Sequence, residues 1–146
     1  MGIYNPVDAN VFDLVTTIIP DPGAGNMISW PVPDNARIQI IYLGFLFSTA
    51  VNVVNRYMQI LGTTPTLSQL MGASDEAVPA AQTYGWAWVA GLGTEVDLSI
   101  VDTMVSPLSP MFILEPGDLL ETFVQNGQAG DMIYSIICRY KQWIIA

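Results

Sequence analysis

The sequence predicts an all-β fold. Three observations lead there: apolar residues recur at period two, β-branched and aromatic residues fill the alternating runs, and Gly- or Pro-containing breaks separate those runs, with no stretch of convincing helical periodicity. About eight to ten short strands without a fixed-period repeat form the pattern of a sandwich or closed barrel. At 146 residues the chain suits a single domain over 1–146, long enough to bury a core without disulfides or metal.

The elements follow in order. After an N-terminal arm at residues 1–10, a first strand is expected over Val11–Ile19, ending at PDPGAGN, where two prolines and two glycines make regular pairing unfavourable. MISWPV gives a short strand closed by Pro33, Asp34 and Asn35, residues suited to a tight turn. The longest strand spans Arg37–Ala50 and is apolar on both faces through its middle, which predicts a central position. Val53–Leu61 alternates, with Val54, Arg56, Met58 and Ile60 on one side. Residues 62–79 are expected to form a loop excursion, or one helical turn after Thr66. AAQTYGWAWVAG and TEVDLSIV make two further strands, and the prolines of SPLSP are expected to break pairing before MFIL.

The stretch LEPGDLLETFVQNGQAGD ends the pattern. Pro116 and Gly117 suit the central positions of a type II turn. Asp118–Gln125 alternates, with Leu119, Glu121 and Phe123 facing one way and Leu120, Thr122 and Val124 the other. Asn126-Gly127 opens a reversal into MIYSIICRY. The acids at 115, 118, 121 and 131 miss the spacing of a calcium loop and read as solvent-facing turn residues.

Composition narrows the function. Only 12% of residues are charged while 51% are hydrophobic, so part of the surface is expected to be covered by other subunits. The net charge of −9 repels polyanions and argues against nucleic acid. Lone Cys138 reads as a small buried hydrophobe. The longest apolar run, Ile40–Phe47, is too short for a membrane-spanning helix, and neither a secretory signal nor a myristoylation pattern opens the chain.

Catalytic equipment is sparse, and no catalytic, cofactor-binding or metal site is assigned. The chain has no His, the commonest general base and a common metal ligand. GAGNMI lacks the third glycine of a dinucleotide fingerprint and runs into Trp30 and Pro31. Glu95 and Asp97 alternate onto one strand face, about 7 Å apart, and paired acids there are far more often solubilising than a glycosidase pair. The stripe Tyr84, Trp86, Trp88 suits either sugar stacking or, more commonly, a core or interface. With Ile3, Tyr4 and the apolar tail Trp143, Ile144 and Ile145 it forms the candidate partner interface.

The order IIPDPGAGNMISWPVPDNARIQIIYLGFLFSTA, VVNRYMQIL and LEPGDLLETFVQNGQAGDMIYSIICRY resembles small structural proteins of tailed bacteriophages, over Ile18–Tyr140. The resemblance implies an antiparallel jelly-roll sandwich of about eight strands and a non-enzymatic virion protein, made in the host cytoplasm. Its nearest role is that of a capsid decoration or cement protein on the capsid exterior, a homo-oligomer, with a trimer favoured over a dimer, bridging major capsid proteins. Residues 62–79 match no part of that pattern. The rival reading is a carbohydrate- or host-receptor-binding module of a tail or baseplate, using Tyr84, Trp86 and Trp88 or the 62–79 segment.

Overall fold

A computed structural model describes residues 12–98 and 102–144. Ten strands and no helix are present among them: β1 (Asp13–Ile19), β2 (Ser29–Pro31), β3 (Ala36–Ser48), β4 (Tyr57–Thr63), β5 (Ser68–Ala73), β6 (Thr83–Ala90), β7 (Val96–Leu98), β8 (Thr103–Leu108), β9 (Leu119–Gln125) and β10 (Met132–Ile144). They form a wide sheet in the order β1-β10-β3-β6-β8-β7 and a narrow one in the order β2-β9-β4-β5. Alternation buries one face of each sheet, and the two buried faces share one apolar core.

β3 is central, between β10 and β6, as its two-sided apolar composition predicts. Its inward side chains are Ala36, Ile38 and Ile40, then Leu43, Phe45 and Phe47. The change of phase coincides with a register shift against β10 between Arg139 and Tyr140, where an extra residue in one strand turns the following side chains to the other face. A second shift falls between Tyr134 and Ile137. There Ser135 has φ 54 and its N–H donates to Asp21 Oδ1 at 3.0 Å.

The predicted turns are present. Gly117 has φ 83 and the Asp118 N–H donates to Glu115 O at 3.0 Å, the geometry expected at Pro-Gly. Leu120, Thr122 and Val124 point inward, as the alternation of β9 indicates. Asn126, at φ 62, opens the reversal into β10.

Three expectations are corrected. Residues 62–79 are not a loop excursion or a helical turn: they finish β4, turn at Thr64–Leu67 and return as β5, the outer strand of the narrow sheet. Pro107 does not end pairing, because β8 runs parallel to β6 with Pro107 opposite Val89. This parallel pair also departs from an all-antiparallel arrangement. β7 covers only Thr103–Val105 of β8, so at Pro107 the strand is an edge, where a missing N–H is tolerated. In MFIL, Leu114 makes a single bridge to Ile38.

The acids of the last turns are corrected too. Asp118 and Asp131 are buried. Asp118 accepts from the Glu115 N–H at 2.9 Å and so closes its own turn. Asp131 pairs with Arg56, and both side chains are fully buried. Nearby, the GAGN turn packs on the QAGD turn. The Gly25 N–H donates to Asp131 O at 2.8 Å, and a Cβ on Gly25, which has φ 75, would lie 2.9 Å from Ala129 O. These glycines serve loop-to-loop packing.

Candidate interaction surface

The aromatic stripe belongs to the core. Tyr84, Trp86 and Trp88 lie opposite Phe47, Phe45 and Leu43 of β3 and are buried between the sheets. Trp86 and Trp88 stack with centroids 5.5 Å apart and planes 8° apart. The stripe is therefore removed from the candidate partner interface and from the sugar-stacking reading, because neither ring face is presented to solvent. Burial raises the Tyr84 hydroxyl pKa, with Asp102 and Asp97 adding to it.

Glu95 and Asp97 do not share a strand. Glu95 lies before β7 and its carboxylate accepts from Ser106 Oγ at 2.6 Å and Ser74 Oγ at 2.9 Å. Ser106 in turn accepts from Trp86 Nε1 at 2.8 Å. This chain of hydrogen bonds fixes the core indole to a surface carboxylate. Asp97 sits within β7, opposite Met104.

Of the remaining interface residues, Ile3, Tyr4 and Ile145 lie outside the described residues. Trp143 is half-buried, edge-on to Phe12 at 5.9 Å, and lines a cleft of about 310 Å³ with Arg37, Ile113 and Glu115. Ile144 is exposed.

The surface best suited to a partner is the outer face of the wide sheet. Strand register aligns one residue from each of its six strands in a single row: Ile18, Ile137, Gly44, Ala87, Val105 and Val96. Every member is apolar. Ile18 is 79% exposed, Val96 41% and Ile137 40%. The next row, Tyr134, Leu46, Gly85, Thr103 and Leu98, carries no charge either. Small residues at Gly44, Gly85 and Ala87 leave a depression of about 310 Å³, rimmed by Tyr42, Leu46 and Ile137. Tyr42 lies across Gly44, where a Cβ would collide with its ring, and Arg139 stands 5.6 Å from the centroid of that ring.

Charge is placed around this band. Of the four cations in the chain, Arg37 pairs with Glu115 and Arg56 with Asp131. Arg139 and Lys141 stand on the outer face of β10, just beyond the apolar row. The outer face of the narrow sheet differs: Glu121, Gln59 and Gln125 interrupt its apolar residues. Sequence reasoning missed the row because register, which is not local, creates it. The signal lay in YGWAWV, where small residues alternate with large ones and mark the outward side.

Among the described residues, no group of three His, Cys, Asp or Glu side chains could hold a metal ion, and no helix is long and apolar enough to cross a membrane. Compared with known proteins, the chain matches no family model, no curated protein and no solved structure.

Proposed function

We propose that the chain is a non-enzymatic virion protein of a tailed bacteriophage, a capsid decoration or cement protein that lies on the outer shell and stabilises contacts between major capsid proteins. The observation that carries this reading is the uncharged row across all six strands of the wide sheet. A continuous apolar band on a strongly acidic chain is the kind of surface that a protein partner covers. Binding only the assembled shell, the protein stabilises it by its binding free energy, and contacts repeated in an oligomer add through avidity.

A jelly-roll topology fits the pairing. β1 pairs with β10, β2 with β9, β3 with β6 and β4 with β5, nested pairs of the kind made by rolling one long hairpin into two sheets. On this reading β7 and β8 are an insertion that widens one sheet.

The test is cryo-electron microscopy of particles of the phage that encodes the chain. The proposal expects the domain on the outer shell at positions touching more than one capsid subunit. Its presence only in the tail or baseplate, or its absence from the particle, overturns the reading.

A further inference from the structure

The geometry points to a second copy of this chain as the partner of β1, added edge to edge and antiparallel across a two-fold axis centred on Thr16. The inference concerns the isolated protein and does not depend on the proposed role in the virion.

A sheet edge presents unpaired backbone donors and acceptors, and proteins commonly protect edges by shortness, proline, bulges or charge. Among the described residues, three of the four outermost strands are protected. β2 and β7 have three residues each, and β2 contains Pro31. β5 carries a register shift against β4 between Ile60 and Leu61, and its Met71 carbonyl already accepts the Ser109 N–H at 2.9 Å. β1 is neither short, kinked nor interrupted by proline, and its one charge, Asp13, stands at its end. It is seven residues long, DLVTTII, pairs with β10 without a register shift, and has no proline, glycine or lysine. Phe12 holds its start in place, edge-on to Trp143 and beneath Lys141 Nζ at 4.7 Å from the ring centroid.

The strand is also self-complementary. With Thr16 opposite Thr16 of the second copy, Leu14 falls opposite Ile18 and Val15 opposite Thr17. Leu14 and Ile18, 69% and 79% exposed, then cover one another twice across the axis, as apolar cross-strand pairs do. The sole charge of β1, Asp13, meets Ile19 of the second copy. The two aspartates stand at opposite ends of the ladder, about 20 Å apart, so the acidic chain opposes no like charges here. The apolar row on the wide sheet continues from Ile18 into Leu14 of the second copy, giving one twelve-stranded sheet.

Sedimentation equilibrium and cysteine cross-linking test the pairing and its register together. Wild type is expected to be a concentration-dependent dimer. Leu14→Lys with Ile18→Lys sets lysine against lysine and is expected to give a monomer with an unchanged circular dichroism spectrum. Leu14→Lys with Ile18→Glu sets each lysine against a glutamate and restores the dimer. Thr16→Cys is expected to form a disulfide-linked dimer under mild oxidation, since directly opposed Cβ atoms are about 4.5–5.5 Å apart, whereas Leu14→Cys is not. A wild type that stays monomeric overturns the inference. So does a dimer indifferent to these substitutions.

Discussion

Arg56 and Asp131 form a two-pronged ion pair with neither side chain exposed to solvent: Nε lies 3.1 Å from Oδ2 and Nη2 3.1 Å from Oδ1. Arg56 also donates to Asn52 O, Val54 O and Ala50 O. Asp131 also accepts from the Ala50 N–H at 2.7 Å and the Gln128 N–H at 2.9 Å. The pair thus ties the connection between β3 and β4 to the turn before β10. Breaking a buried pair by removing one partner costs about 3–5 kcal/mol, because the survivor stays charged and unpaired. Arg56→Met should lower the unfolding free energy in urea by that amount. Adding Asp131→Asn should cost much less than it does alone, a coupling that a double-mutant cycle measures.

The same pair sets an acid response. Burial pushes the Asp131 carboxyl up, but hydrogen bonds from Arg56 and from the Ala50 and Gln128 N–H groups, with the guanidinium charge, outweigh it and hold the pKa below its ordinary value of 3.8. A carboxyl with a lowered folded pKa contributes stability that is present above the unfolded value and lost as pH falls through the folded one. Between pH 6 and pH 3 the urea midpoint of wild type should therefore fall more steeply than that of Asp131→Asn. Parallel curves would show that the carboxylate contributes nothing to acid sensitivity.

The two core indoles should respond differently to truncation. Trp86 Nε1 donates to buried Ser106, which donates to Glu95, whereas Trp88 Nε1 is buried without a partner. Replacing each by Phe removes similar volume. Only Trp86→Phe removes a buried hydrogen bond, at about 0.5–1.5 kcal/mol, since Ser106 keeps its bond to Glu95. Urea denaturation should rank Trp86→Phe as the more destabilising by that margin.

Cys138 should be inert while the protein is folded. It is buried on the inner face of β10, and burial pushes its thiol up to about 12, leaving little thiolate for reaction at neutral pH. Titration with a thiol reagent at pH 8 should show labelling only at the rate of unfolding, and prompt labelling in denaturant.

The sequence was most legible where chemistry is local. Pro116-Gly117 marks its turn, Asn126-Gly127 its reversal, and the alternation of β9 its buried side, since each depends on residues a few positions apart. It was least legible where the partner is distant. Asp131 reads as a solvent-facing turn residue until Arg56, 75 positions away, closes on it. β5 is short and largely exposed, so its alternation hardly differs from that of a loop. Pro107 is acceptable in β8 because the pairing of β8 with β7 ends at Val105, and no local pattern encodes that. The outer row was hidden for the same reason: Ile18, Gly44, Ala87 and Val96 become neighbours only through register.

Co-sedimentation with capsids of the encoding phage tests the central proposal most directly, comparing wild type with Ile137→Lys and Val96→Lys. Both positions are partly exposed and belong to the six-strand row, so both variants should fold. Wild type is expected to pellet with assembled shells and not with unassembled capsid protein, and each lysine should weaken pelleting at least tenfold. Undiminished binding by both variants, or no binding by wild type, would contradict the assignment of this face to the shell.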